Sequence, residues 1–262
     1  MKKAISYLLV FGGIQLLCGG LVDFVWKWLS GSADTTVAKL MVMSVTASVV
    51  SLVVFLCTRW TEVSPSWLRT RPWAVLVWSV VAAMGAVVPS LWLQELLPEL
   101  PNWVESEFDQ LLTNRWGYVL IVLLAPLVEE VVFRGAILRS LLATRLSTVA
   151  AVVLSAVLFA LFHMNPAQMP HAFLVGLLLG WMYSRTGSIL PGVAYHWANN
   201  SIAYVVYNVY PDTHLTLVDI LGSQRHVLMA VGFSLLILLP ALYQLNLWMR
   251  RAEPSDAHLP HL

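Results

Sequence analysis

Glu129 and Glu130 are adjacent carboxylates inside an otherwise apolar stretch, YVLIVLLAPLVEEVVFRGA, that runs from Tyr118 to Ala136. A carboxylate at bilayer depth is strongly disfavoured unless it is paired, protonated or turned toward water. On a helix, Arg134 lies one turn beyond Glu130 on the same face, so these two can pair. Glu129 is rotated about 100° away and has no partner on its own helix. A second polar position is His163, at the end of FALFH (159–163), with Phe159 one turn behind it to wall the imidazole from lipid or water. A third is HWANN (196–200), where His196 and Asn200 share a face at i, i+4. Each has a plain meaning alone: a histidine near a span end sits at the interface, and polar side chains hold membrane helices together. Together they say more. Three helices contribute groups that hydrocarbon penalises, and convergence on one hydrated cavity satisfies them all.

Such a cavity could hydrolyse an amide. Glu129 can take a proton from water that His163 helps to position, and His196 and Asn200 can donate hydrogen bonds to the developing oxyanion. Glu130 and Arg134 then form a structural pair that fixes the helix and the local field. The spacing sets the angle between the two glutamates but not which one meets the cavity, so an exchange of their roles stays open. There is no GxSxG elbow, and Cys18 and Cys57 lie in apolar runs away from the cluster, which argues against covalent serine or cysteine catalysis. The two cysteines read as unpaired, buried thiols. HExxH is absent, yet Glu129, His163 and His196, with Asn200 as a further donor, could assemble around zinc.

The elements that must position these groups are membrane helices. Of 262 residues, 59% are hydrophobic and only 11% charged, with a mean hydropathy of +0.76, against about 25% charged in soluble globular proteins. The 15 basic and 14 acidic residues nearly cancel, so nothing suggests a nucleic-acid partner. Eight segments approach the length of a span: 4–25, 37–57, 73–92, 116–138, 148–164, 171–184, 188–207 and 227–248. The fifth and sixth are the shortest. The first reads as a retained span, because Leu17 before Cys18 does not suit a lipoprotein signal.

With the N-terminus inside, Lys2, Lys3, Arg59, Arg69, Arg71, Arg139, Arg145, Arg185, Arg250 and Arg251 fall on the inner side, and Lys27, Lys39, Arg115 and Arg225 on the outer. That asymmetry favours cytoplasmic N- and C-termini. At about 1.5 Å per residue, Glu129 lies roughly 20 Å into its span and His196 about 12 Å into its own, so both reach mid-membrane. The outer connection from Leu93 to Arg115 mixes acidic and apolar residues and reads as an amphipathic segment lying on the surface, broken by Pro98 and Pro101. Gly176 and Gly180 permit close helix approach. The tail at 252–262 reads as disordered, leaving a single membrane domain over 1–251 whose motif-bearing core is about 116–207.

EEVVFR (129–134), FALFH (159–163) and HWANN (196–200) resemble the EExxxR, FxxxH and HxxxN motifs of the CPBP group of intramembrane proteases. That group includes the type II CAAX prenyl endopeptidases and the bacterial Abi proteins linked to bacteriocin processing and self-immunity. TGSI at 186–189 is similar to the family's usual lead-in. The resemblance covers about 118–205, with no departure at the motif positions. It implies an all-α bundle of eight transmembrane helices around a membrane-embedded catalytic cavity. It also implies Glu129 as general base, His163 as its water-activating partner, His196 and Asn200 as oxyanion stabilisers, Glu130 and Arg134 in support, and Phe159 shaping the site. A glutamate-activated water, with no cofactor, is the implied mechanism, and zinc is its alternative. The implied setting is a bacterial inner membrane, with lipids and a peptide or protein substrate as partners. The rival reading is a non-proteolytic scaffold or immunity factor; a transporter is less supported, because no paired interrupted helices appear in the two halves.

Overall fold

The computed structural model describes residues 1–32, 34–64, 72–212 and 215–252. It is all-helical among those residues. In order the elements are α1 (Lys2–Ser30), α2 (Val37–Cys57), α3 (Trp73–Glu95), α4 (Glu105–Leu112), α5 (118–142), α6 (Thr148–Phe162), α7 (Met169–Thr186), α8 (Leu190–Val209), α9 (Leu217–Leu221) and α10 (Gln224–Ala252). Local signals set several ends. The Thr36 and Ser147 side chains cap the first turns of α2 and α6 by accepting from the backbone N–H groups of Lys39 and Ala150. Gly187 stops α7 in the left-handed conformation at φ 64°, which a side chain would resist. Prolines sit in the first turns of α7 and α8, where no N–H is needed.

α5 departs from regular α-helix. It is π-helical over Tyr118–Leu124, α-helical over Ala125–Glu129, π-helical again over Glu130–Leu138 and α-helical over Arg139–Leu142. The wider turns shift carbonyls out of the ordinary ladder, and other helices or loops fill in. Thr61 Oγ donates to the carbonyl of Val131 at 2.7 Å, Ser155 Oγ to that of Phe133 at 3.3 Å, and Asn200 Nδ2 to that of Ile121 at 3.0 Å.

All eight segments expected to span are helical, but four helices combine the length and apolarity of a span: Lys2–Ser30, Val37–Cys57, Trp73–Glu95 and, within α10, Gln224–Arg250. Four of the eight expected spans are thus borne out by length and apolarity. The others fall short by that measure: α6 has only 15 residues, α5 is broken into α- and π-helical turns, and α7 and α8 bear polar groups that lower their apolarity. One apolar cluster joins α1, α2, α5 and α6 around Phe11, Phe55, Phe133 and Phe159. A second joins α3, α7, α8 and α10 around Val75, Leu179, Tyr195 and Leu245. α7 lies directly on α6 at the two expected glycines: a Cβ on Gly176 would stand 3.0 Å from Ala156 Cβ, and one on Gly180 2.9 Å from Val152 Cγ1.

The connection from Leu93 to Arg115 does contain a short amphipathic helix, α4, with Glu105 and Glu107 in its first turn and Leu112 buried at its end. Cys18 and Cys57 are unpaired, but only Cys18 is buried. Cys57, the last residue of α2, is exposed, which corrects the reading of both as buried. Arg69, Arg71 and the 253–262 part of the expected disordered tail lie outside the described residues, as does the side chain of Arg251.

Candidate active site

The site is built on the second π-helical turn of α5. Glu130 is fully buried, and its Oε1 accepts from Arg134 at 3.0 Å, one turn on. Arg134 is equally buried. Its other terminal nitrogen donates to the Gly176 carbonyl at 3.3 Å, and its guanidinium carbon stands 4.3 Å from the centre of the Phe159 ring. This is a charge held by a carboxylate, a backbone dipole and an aromatic face together. The second carboxylate oxygen of Glu130 packs against Gly192 so closely that a Cβ there would lie 2.4 Å away. Only a glycine leaves room for the carboxylate.

Glu129 differs from its neighbour. Its side chain keeps 25% of its exposure, and Oε2 stands 3.6 Å from His196 Nε2. His196 is buried between the two glutamates, with Nδ1 3.4 Å from Glu130 Oε1. An ionised carboxylate only accepts, so Nδ1 donates to Glu130 and the ring plane is fixed, leaving Nε2 toward Glu129. The two carboxylates that the sequence placed 100° apart therefore grip opposite edges of one imidazole from α8.

Phe159 is the hub on α6. Its ring takes the Arg134 guanidinium on its face, and it meets His163 and His196 edge-on at 4.8 and 5.9 Å between centroids. His163 follows the last residue of α6, and its Nδ1 lies 2.9 Å from the Phe159 carbonyl. A carbonyl cannot donate, so Nδ1 carries the hydrogen and Nε2 is left as the acceptor. Among the described residues no hydrogen bond or ion pair joins His163 to Glu129 or His196; the Phe159 ring contacts both imidazoles.

Asn200 is tied down by its neighbours. Nδ2 donates to Ile121, Oδ1 accepts from Asn199 Nδ2 at 3.2 Å, and one amide hydrogen remains. The residues that spacing did not single out are Asn199, His171 and Ser90. Asn199 Nδ2 lies 3.3 Å from His171 Nε2, and His171 Nδ1 2.6 Å from Ser90 Oγ. Their contacts cross between helices at separations of 28 and 81 residues, where no sequence period operates. Only the polarity of His171 and Asn199 in apolar surroundings could have pointed to them.

Among the described residues, no group of three or more His, Cys, Asp and Glu side chains is assembled to hold a metal ion. Glu129 Oε2 and His196 Nε2 stand 3.6 Å apart, while the third residue of the zinc set expected from the sequence, His163, is held at Nδ1 by the Phe159 carbonyl. No step below runs through a metal.

Fold and site together define an all-helical membrane protein with a buried carboxylate and imidazole centre. Residues 111–202, about a third of the chain, match the family model of type II CAAX prenyl endopeptidase Rce1-like proteins. The matched span holds Glu129, Glu130, Arg134, Phe159, His163, His196 and Asn200, and the match supports membership of the CPBP family of membrane proteases. No curated protein and no solved structure matches the chain.

Proposed function

We propose that the chain is an intramembrane endopeptidase that hydrolyses a peptide bond in a membrane-associated or lipidated substrate. The carrying observation is the asymmetry of the glutamate pair: Glu130 is sealed by Arg134, whereas Glu129 stays partly open beside His196 Nε2. The family match, to prenyl endopeptidases, gives the reaction class.

In this reading Glu129 takes a proton from water while the acceptor Nε2 of His163 orients that water, and the hydroxide oxygen bonds to the scissile carbonyl carbon. The negative charge moves to the carbonyl oxygen, where the remaining N–H of Asn200 donates to it, together with the Nε2–H of His196 in the doubly protonated ring, whose Nδ1–H stays on Glu130. Glu129 then passes its proton to the leaving nitrogen as the C–N bond breaks, so the carboxylate is regenerated. Glu130 and Arg134 hold the ring of His196 and do not exchange protons with substrate. Phe159 closes the lipid-facing wall. Membrane lipids surround an eight-span bundle in a bacterial inner membrane, with both termini cytoplasmic.

The test uses the full chain in liposomes with a farnesylated CAAX-box reporter peptide and unprenylated, membrane-anchored peptides. We expect Glu129→Gln to lower kcat by at least about a hundredfold with an unchanged melting temperature. Retained cleavage in folded Glu129→Gln sinks the assignment of the base. Cleavage that disappears on chelation and returns with zinc would reinstate the metal. A folded wild-type chain that cuts none of these peptides would favour a non-proteolytic scaffold.

A further inference from the structure

Asn200 has a symmetric-looking side chain whose two ends do opposite things, and an oxyanion donor is useful only if its nitrogen faces the reacting carbonyl. The structure contains a device that decides this. In the π-helical register at the start of α5, the backbone N–H of Ala125 donates to the carbonyl of Leu120. The same register directs the carbonyl of Ile121 to the nitrogen of residue 126, which is Pro126 and has no hydrogen. That orphaned carbonyl is the acceptor for Asn200 Nδ2 at 3.0 Å. Because a carbonyl cannot donate, the nitrogen of Asn200 must sit there and Oδ1 must turn to Asn199.

The requirement then propagates. Asn199, itself buried, donates from Nδ2 both to Asn200 Oδ1 and toward His171 Nε2, at 3.2 and 3.3 Å. His171 Nε2 must therefore be bare, its hydrogen lies on Nδ1, and Nδ1 donates to Ser90 Oγ at 2.6 Å. Each contact in the chain pairs one hydrogen with one acceptor, so a single arrangement of hydrogens makes all four contacts among the five groups. An amide flip at Asn200 would set oxygen against the Ile121 carbonyl and nitrogen against the Asn199 nitrogen, losing two hydrogen bonds at once.

We propose that His171 and Asn199 are positioning residues for this reaction: the chain Ser90, His171, Asn199, Asn200 and the Ile121 carbonyl, drawn from α3, α7, α8 and α5, sets the Asn200 amide with one N–H free for the substrate oxyanion. The role of Asn200 rests on the endopeptidase reading, whereas the locking of its amide does not. His171 touches no reacting atom and acts through Asn199.

The experiment measures two things on the full chain. The first is the side-chain amide signals of Asn200 in protein labelled with 15N-asparagine in micelles, assigned with Asn200→Ala. Asn199→Asp removes the donors to both partners, and His171→Leu removes the acceptor; both should shift or broaden the Asn200 signals. His171→Gln offers an acceptor oxygen to Asn199 and a donor to Ser90, and should restore the signals. The second is cleavage of the reporter peptides. Asn199→Asp should lower kcat roughly tenfold to a hundredfold with KM within about twofold, approaching Asn200→Ala. The double variant should be no worse than Asn200→Ala alone, as expected of residues acting as one unit. Unchanged Asn200 signals in both folded Asn199→Asp and folded His171→Leu would overturn the lock, even if no peptide is cleaved. Shifted signals with undiminished kcat would overturn the positioning role while leaving the endopeptidase reading intact.

Discussion

α1 and α8 are helices of one chain that solve opposite problems. α1 buries little more than Ala4, Phe11 and Cys18 and presents Leu9, Leu16, Leu17, Leu21 and Phe24 outward. α8 does the reverse, burying His196 and Asn199 among Tyr195 and Ala198. The difference teaches where specificity is stored. On the outer helices a side chain needs only to be apolar, because lipid is a forgiving neighbour. In the interior a polar atom is costly unless it meets a particular partner, because neither water nor lipid substitutes for it. Substitutions in the two regions should therefore differ in size and even in sign.

The largest effect should come from the interior ion pair. Arg134→Leu strands a fully buried Glu130 and removes the donor to Gly176, at an expected cost of about 3–5 kcal/mol. Thermal unfolding in micelles reads it. Glu130→Leu combined with Arg134→Leu should recover much of that loss, since an apolar pair replaces an ion pair without an orphaned charge. A single variant as stable as the wild type would mean that Glu130 finds another partner, and the contrast between the two regions would weaken.

How much of this was legible in the sequence depends on what kind of contact each residue makes. The Glu130 and Arg134 pair could be read directly, because both partners lie on one helix at i, i+4 and the contact is a property of helical geometry. The placement of His196 between two glutamates could be read only as convergence, since the 66 residues separating it from Glu130 carry no register. Thr61 on Val131 and His171 on Ser90 were invisible for the same reason. The helices themselves followed from apolar runs. The break of α5 into α- and π-helical turns did not, because the hydropathy of a run carries no information on which carbonyl each backbone N–H will choose. The π-helical turns of α5 left one trace, Pro126, whose missing hydrogen matters only once the register is known.

Gly192 tests the interior at a finer scale. An added methyl would lie 2.4 Å from Glu130 Oε2, with the rest of that carboxylate 3.2 Å away, and the ion pair prevents the glutamate from yielding. Gly192→Ala should destabilise by about 1–3 kcal/mol, the usual range for overpacking, although alanine is the better helix former. The same variant should impair cleavage, because displacing Glu130 also displaces the imidazole that it holds. Unfolding and kcat, measured on one preparation, separate a tight fit from a tolerant one: an unperturbed Gly192→Ala would show that the carboxylate can move.

Gly20 in α1 is the opposite case, and there the sign should change. Nothing lies within 4 Å of the position its Cβ would take, so a methyl group meets no protein atom. What remains is the backbone entropy and helix propensity of glycine against alanine, which favours alanine by up to about 1 kcal/mol in a helix interior. Gly20→Ala should therefore raise stability by a fraction of that amount in the same micelle assay, and leave cleavage of the reporter peptides unchanged. A loss of stability instead would mean that this stretch of α1 packs against another surface in the membrane, and that the outer helices are more particular about their neighbours than α1 alone suggests.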